Sequence, residues 1–286
     1  MKKNIKILLI IFSGLLMVTG CFKTDTMENI DIVVTKYPIE YAINILYKDY
    51  SNIIPIYPNG IDPSTYELTD KKINTSAKND MFIYNGLSET DTAIKFLNNN
   101  SKIKLIDVSK GLEIKNNEEE LWLNPSNYMM IAQNLKNDLE SYINSTVILQ
   151  NIDTNYEKLK LTISTYDAQL NNIANNAKEK NIIVTNDTFK FLERYGFTVY
   201  SLQEGENYSS SAYNTAITLA NEKKISYIFT LEGDEETEKV KTLKNSGLNI
   251  VTVQKLGNLS DEERVNNVDY VTIMNDFIEN LKQEVY

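Results

Sequence analysis

The side chains that carry most catalytic and metal chemistry are nearly missing from this chain. It has no histidine and a single cysteine, Cys21. Without imidazole, neither a serine–histidine–aspartate nor a cysteine–histidine nucleophile can form. Zinc sites built on histidine or several cysteines are excluded as well. Carboxylates, amides and hydroxyls remain as the candidates for chemistry, and we predict that the protein is not an enzyme.

Cys21 ends a segment with the three parts of a secretory signal. Three lysines open it, an apolar stretch follows at Ile7–Val18, and Val18-Thr19-Gly20-Cys21 closes it. The apolar stretch is shorter than the about 20 residues that a membrane-spanning helix needs. The pattern resembles a bacterial lipoprotein signal, in which the cysteine is acylated; an ordinary signal peptide with an incidental cysteine is the alternative. We therefore predict an extracytoplasmic protein anchored to the cell membrane through acylated Cys21.

The amino-acid composition indicates a globular protein and limits the partners that it can bind. At 42% hydrophobic and 24% charged residues, the chain has the composition of a globular protein. Its formal net charge of −10 argues against a nucleic-acid partner and against electrostatic attachment to anionic lipid.

Strand and helix signals alternate after the leader, which predicts an α/β fold with mostly parallel sheets. The predicted strands are Ile30–Thr35, Asn52–Tyr57, Asp80–Tyr84, Ile103–Val108, Asn181–Thr185, Phe197–Leu202, Ile225–Leu231 and Asn249–Val253. The predicted helices between them are Pro38–Tyr47, Thr69–Lys78, Thr90–Leu97, Tyr128–Tyr142, Thr188–Tyr195, Ser210–Asn221, Glu235–Lys244 and Tyr270–Gln283.

One long helix interrupts the alternation. Apolar residues recur at helical spacing from Asp153 to Lys180, with no glycine or proline. Such a helix can join two small α/β lobes as a spine, with a ligand cleft between them, and predicts little lobe movement on binding. The sequence therefore predicts a signal peptide at 1–20, a lipidated tether at 21–28, a first lobe at 29–148, a linking helix at 149–180 and a second lobe at 181–286.

Four segments, in order along the chain, resemble one family. Pro58–Glu67 resembles Gly-x-Asp-Pro-His-x-Tyr-Glu, Glu120–Asn127 resembles His-x-Trp-Leu-Asp-Pro-x-Asn, Val184–Leu192 resembles Val-Thr-His-x-Ala-Phe-x-Tyr-Leu, and Val253–Gly257 resembles a hydrophobic-Asp-Pro-Leu-Gly turn. These are the motifs of the metal-receptor lipoproteins of zinc and manganese ABC importers, the adhesin-type cluster of substrate-binding proteins. The resemblance implies a two-lobed receptor that delivers a divalent metal, zinc or manganese, to an importer permease.

Carried over position by position, the family's four metal ligands fall on Ser64, Glu120, Asn186 and Gln254. The family has imidazoles or carboxylates there, whereas only Glu120 is an anion in this chain. Neutral hydroxyl and amide groups are weak donors to zinc or manganese, so tight zinc binding is not predicted. A hard ion with oxygen ligands stays open if acidic neighbours turn inward; these are Asp62, Glu118, Glu119 and Asp187, for which solvated loops are the alternative.

Other polar features of the cleft leave further alternatives open. The same four side chains could hold a small organic solute, or could simply bond to one another. Glu232, Asp234, Glu235 and Glu236 are interpreted as helix-start residues. The first lobe's many tyrosines, Tyr37, Tyr41, Tyr57, Tyr66 and Tyr84, are interpreted as rings at element edges rather than as a pocket lining.

Two hypotheses for function follow. The first is a solute receptor that captures a metal ion or other small solute between its lobes and hands it to an ABC importer permease. The alternative is a surface adhesin that has lost transport and metal binding and instead binds a cell-surface macromolecule.

Overall fold

The computed structural model describes residues 26–112, 120–203 and 210–286. The first lobe is a four-stranded parallel sheet in the order β2-β1-β3-β4. Its strands are β1 Ile30–Val34, β2 Ser51–Pro55, β3 Met81–Tyr84 and β4 Lys104–Asp107. Its helices are α1 Tyr37–Tyr47, α2 Asp70–Ser76, α3 Thr90–Asn99 and α4 Pro125–Tyr142, with short 3₁₀ turns at Lys48–Tyr50 and Leu121–Leu123.

The second lobe repeats this plan, with a four-stranded parallel sheet in the order β6-β5-β7-β8. Its strands are β5 Asn181–Val184, β6 Thr198–Ser201, β7 Tyr227–Leu231 and β8 Asn249–Val253. After the linking helix α5, Thr146–Asn176, come α6 Ser210–Asn221, α7 Glu238–Asn245, α8 Asp261–Val265 and α9 Tyr270–Val285. A 3₁₀ helix at Asp187–Tyr195 stands where an α-helix is predicted, and Gly196 ends it in a left-handed conformation that suits glycine. The predicted fold class, two parallel-sheet α/β lobes with one long helix, is confirmed.

The linking helix α5 runs from Thr146 to Asn176. It begins before the predicted range 149–180 because the Ser145 hydroxyl caps it, accepting from the Ile148 amide at 3.5 Å. Past Asn176 the backbone turns extended at Ala177, and the Lys178 amide donates to the Val285 carbonyl at the end of α9. The helix therefore stops where it meets the second lobe.

One hydrophobic core runs through both lobes along this helix. It joins Ile32 and Ile83 of the first sheet to Val184 and Phe229 of the second through one face of α5. Smaller apolar clusters cover the outer face of each sheet. Because the lobes share a core, separating them would expose apolar surface to water, which is unfavourable.

The predicted lipid anchor, Cys21, lies outside the described residues, as do Glu118 and Glu119. Within the described part, none of the helices combines the length and apolarity that crossing a bilayer would take.

Candidate functional site

The order of the strands in the two sheets indicates where a ligand would bind. In each sheet the winding direction reverses between two neighbouring strands, β1 and β3 or β5 and β7. Ligands of open α/β sheets bind outside the carboxyl ends of the strands at such a reversal. A cavity of about 490 Å³ lies between the lobes in this region. It is lined from the first lobe by residues 60–63 and from the second by Glu232, Gly233 and part of the segment 255–266.

Ser64 and Asp62 come together in the loop of the first lobe. The Ser64 hydroxyl and amide both donate to Asp62 Oδ1, at 2.7 and 2.8 Å. Burial raises the pKa of Asp62, but these bonds and the ammonium groups of Lys255 and Lys36 outweigh it and lower the pKa below its usual range. Asp62 is therefore a stable anion at the cleft, with one oxygen already bound by Ser64.

Asn186 and Asp187 follow β5 and have partners within their own lobe. The Asn186 side chain accepts from the Thr188 amide at 3.0 Å and so caps the 3₁₀ helix. Asp187 is buried, and its carboxylate pairs with Lys190 Nζ at 2.8 Å. Both predicted metal contacts thus already serve the local structure of the loop.

Gln254 is tied to a helix cap. Its side-chain amide donates to Glu263 Oε1 at 2.5 Å. The other Glu263 oxygen accepts from the Ser260 amide and hydroxyl, both at 2.7 Å, in a capping box that opens α8. Burial raises the pKa of Glu263, and the bonds from Ser260 and Gln254 more than offset this and lower it.

Glu120, the one anion among the four predicted ligands, is half-buried immediately before the 3₁₀ turn Leu121–Leu123. In that turn Trp122 is buried, and its indole nitrogen donates to the Lys255 carbonyl at 2.8 Å. This bond crosses the lobes and brings the second and fourth family segments together through a backbone carbonyl.

The four predicted ligand positions do not share one cavity in the described structure. Ser64, Asn186 and Gln254 line separate cavities of about 380, 260 and 470 Å³. Across the described ranges, no group of three or more histidine, cysteine, aspartate or glutamate side chains is arranged to hold a metal ion. Asp62 is the predicted site residue that lines the inter-lobe cavity.

Lys255 is a residue of the inter-lobe cavity that the sequence analysis did not single out. Its ammonium lies 3.9 Å from Asp62 Oδ2 of the first lobe and 4.0 Å from Asp234 Oδ1 of the second. The signal was available, because Lys255 stands in the fourth family segment where the motif has proline. A lysine ammonium at this position repels a dication bound nearby.

Asp234 also corrects the interpretation of its acidic cluster. Helix α7 begins only at Glu238, capped by the Thr237 hydroxyl, so Glu232, Asp234, Glu235 and Glu236 precede it. Asp234 accepts instead from the Thr185 hydroxyl at 3.1 Å and faces Lys255. At least one of the four acids therefore belongs to the cleft.

Two α/β lobes on a linking helix, with a cleft at the carboxyl ends of both sheets, define a two-lobed solute-binding protein. The chain belongs to the family described as zinc-uptake complex component A periplasmic (ZnuA), which matches residues 32–284. The resemblance drawn from the four segments is thereby confirmed.

Individual relatives agree with this membership. The chain is 30% identical over 214 residues to a metal ABC transporter substrate-binding lipoprotein of Lactococcus lactis, covering 67% of this chain and 68% of that protein. It is 23% identical to the high-affinity zinc uptake system protein ZnuA of Bacillus subtilis, over 97% of both chains. The crystal structure of the metal-dependent lipoprotein YcdH from Bacillus subtilis shares the fold, with a TM-score of 0.74, 20% identity, and coverage of 90% of this chain and 99% of that one.

Proposed function

We propose that this protein is the lipid-anchored solute receptor of an ABC importer, and that its solute is not zinc or another divalent metal ion. Family membership and the names of the relatives, a substrate-binding lipoprotein and a zinc uptake protein, support the receptor role. The permease of the importer is its partner, and acylated Cys21 holds it at the outer face of the cell membrane. An enzymatic role has no support in a receptor family or in a chain without imidazole.

The donor set argues against zinc. Three of the four ligand positions carry a hydroxyl or an amide, and Ser64, Asn186 and Gln254 each bond to a group in their own lobe. Recruiting them to a metal would break a helix cap or a carboxylate contact. Neutral oxygen donors would not repay that loss with zinc or manganese.

Lys255 is the observation that carries the proposal. Its ammonium lies within 4.0 Å of a carboxylate from each lobe and so already supplies positive charge at the cleft. A dication entering there would meet that charge at short range, in surroundings where water screens it less than in bulk solvent. We therefore expect the Lys255 ammonium to supply the positive charge that a bound metal ion supplies in other members of the family.

Metal titration tests this directly. Metal-stripped, full-length protein in detergent micelles is unfolded by heat, with tryptophan and tyrosine fluorescence as the readout, in the presence of zinc, manganese, calcium or magnesium. A ligand at 100 times its Kd stabilises a protein by about 2.7 kcal/mol, which corresponds to several degrees in Tm. We expect no such shift with any of the four ions.

The same thermal unfolding measurements are made on two variants, Glu120→Ala as the test and Glu157→Ala as its control. Glu157 is an exposed acid on the linking helix and serves as the matched control. A metal-induced shift that persists in Glu157→Ala and disappears in Glu120→Ala would overturn the proposal. If neither metals nor solutes stabilise the protein, the adhesin hypothesis gains, and a cell-surface macromolecule becomes the ligand to seek.

A further inference from the structure

The chain enters the first lobe at a surface on the opposite side of that lobe from the cleft. The segments that lead into β1, β2, β3 and β4 all lie at the amino ends of these parallel strands: residues 26–29, 48–50, 77–80 and 100–103. We call the surface formed by these four segments the strand-start face. The cleft lies beyond the carboxyl ends of the same strands.

Met27 holds the chain at the strand-start face before β1 begins. It is fully buried, and its carbonyl accepts a hydrogen bond from the Tyr47 hydroxyl at the end of α1. Its backbone is left-handed, with a φ of 55°, and a residue other than glycine keeps this conformation only when its surroundings hold it. The tether between Cys21 and the fold therefore starts from a fixed point on this face.

The linking helix α5 places the second lobe at the other end of the molecule. Its first turns lie beside the strand-start face, where the Asn151 side chain donates to the Tyr50 hydroxyl. Its last residue is followed by the segment that leads into β5, so it ends at the amino end of the second sheet. Its 31 residues make it about 46 Å long, at about 1.5 Å per residue. The amino ends of the two sheets are therefore roughly this far apart, with the cleft between them.

The tether limits the distance between the strand-start face and the bilayer. Cys21 precedes Met27 by six residues, which span at most about 22 Å whatever their conformation, at about 3.6 Å per residue. An inverted molecule, with the far end of the second lobe on the membrane, would lift Met27 about 46 Å above it. The tether cannot reach that far, so an anchored molecule cannot stand on its second lobe.

Charge disfavours a molecule that lies flat on anionic lipid. The four segments of the strand-start face balance three exposed lysines, Lys48, Lys78 and Lys102, against three exposed acids, Glu28, Asp49 and Asp80. The whole chain has a net charge of −10, so its excess negative charge lies elsewhere. Anionic headgroups repel that charge over about 8 Å at physiological salt. End-on contact through the balanced face avoids this repulsion.

We infer that the strand-start face of the first lobe is the surface that faces the lipid bilayer, and that the second lobe points away from the membrane. The inference rests on the proposed function, because it takes acylated Cys21 as the anchor. The partner of this face is a surface of lipid headgroups. The cleft then lies above the headgroups rather than against them.

Energy transfer from a dye on the protein to acceptor-labelled lipid headgroups tests the inference. Cys21 is the one cysteine and its thiol is blocked in the acylated protein, so each of three variants adds a single labelling site: Lys102→Cys, Glu262→Cys and Lys180→Cys. All three positions are exposed, at the strand-start face, in α8 beside the cleft and before β5, respectively. On phosphatidylcholine vesicles with a minor fraction of phosphatidylglycerol, we expect transfer to decrease in that order. Equal transfer from the three sites, or the reverse order, overturns the inference.

A longer tether provides a variant that leaves the folded residues unchanged. Inserting about 20 glycine and serine residues between Phe22 and Lys23 adds a flexible segment with an end-to-end distance of about 25 Å. We expect the difference in transfer between the Lys102 and Lys180 positions to shrink markedly. A difference that the insertion leaves unchanged also overturns the inference, because the tether would then not set the orientation.

Flotation with the same vesicles separates the inference from the proposed function. Cys21→Ser is the control, which should neither float with the vesicles nor transfer energy from any of the three sites. If the wild-type protein floats but transfer is equal from the three sites, the orientation is wrong and the anchored receptor stands. If the wild-type protein does not float, the lipid anchor of the proposed function is wrong, and the inference fails with it.

Discussion

Arg264 and Glu40 form a two-pronged ion pair that joins the lobes. The guanidinium nitrogens of Arg264, in α8, lie 2.6 and 2.9 Å from the two carboxylate oxygens of Glu40, in α1. Arg264 Nε also donates to Asn59 at 2.9 Å, and the guanidinium lies 5.9 Å from the centre of the Tyr37 ring. Such fork-to-fork pairs combine strength with a fixed geometry. This Arg264–Glu40 ion pair, called the latch below, therefore joins the two lobes in addition to α5.

Breaking the latch should lower the free energy of unfolding. We expect Glu40→Gln to cost about 1–3 kcal/mol, because hydrogen bonds to a charged group are lost and a partly buried guanidinium keeps only a neutral partner. Urea unfolding measures the change. The matched control is Glu238→Gln, which breaks the exposed pair with Lys241 and should leave the free energy of unfolding nearly unchanged, because exposed ion pairs contribute little. If Glu40→Gln and Glu238→Gln lower the free energy of unfolding equally, the Arg264–Glu40 pair contributes no more to stability than an exposed ion pair.

The latch and the shared core also predict little lobe movement. We expect the radius of gyration of the wild-type protein, measured by small-angle scattering, to stay the same with and without a stabilising solute. Glu40→Gln should permit more variation. A large contraction of the wild-type protein on solute binding would contradict this expectation and indicate a wide hinge closure.

Glu284 makes the stability of the second lobe depend on pH. Burial raises the pKa of this carboxyl from 4.5 to about 7, and the charge of Glu179 adds to the effect, although amide bonds from Ser226 and Tyr227 oppose it. A pKa that is higher in the folded state means that Glu284 stabilises the fold fully below about pH 4.5. This contribution is lost as the pH rises to about 7.

Glu284→Gln should remove that pH dependence. At about 1.4 kcal/mol per pKa unit, we expect the wild-type protein to lose about 2–3 kcal/mol relative to this variant between pH 4.5 and 8, in urea unfolding. Glu279→Gln, on an exposed face of the same helix, should follow the wild-type curve. Parallel curves for wild type and Glu284→Gln would refute the assignment.

Gly86 is required by a close approach of the backbone to a carboxylate. Its amide donates to Asp107 Oδ1 at 3.0 Å, and a Cβ at this position would lie 2.2 Å from Asp107 Oδ2. We expect Gly86→Ala to destabilise the protein by about 1–3 kcal/mol, as overpacking commonly does. In an Asp107→Ala background the same change should cost clearly less, as a double-mutant cycle would show. If Gly86→Ala destabilises the Asp107→Ala variant as much as the wild-type protein, contact with the Asp107 carboxylate is not the cause.

Lys255 contributes, after the two hydrogen bonds from Ser64, to the lowered pKa of Asp62. Because the Lys255 ammonium is among the groups that lower the pKa of Asp62, Lys255→Met should raise that pKa. The pKa of Asp62 is measured by NMR, from the chemical shift of its carboxyl carbon as the pH is varied. Lys190→Met is the control, since Lys190 pairs with Asp187 rather than Asp62. A pKa of Asp62 that does not move in Lys255→Met would remove the electrostatic link across the cleft.

Local pattern was sufficient for much of the fold. The helix Ser210–Asn221 and the strand Asn249–Val253 occur at their predicted bounds, because the local periodicity of apolar residues decides such elements. The start of the linking helix was harder to predict. Its first turns carry exposed Val147, which weakens the amphipathic signal, and the deciding cap lies at Ser145.

The family, the absence of imidazole chemistry and the four altered ligand positions follow from the sequence alone, because each depends on which residue stands where. Only the tertiary structure decided which side chains meet. Lys255 reaches Asp62 and Asp234, and Lys36 reaches Glu89, because strands far apart in the chain end at the same sheet edges and the two lobes then pack together. Such contacts depend on the positions of whole elements in space, and no local spacing of residues specifies them.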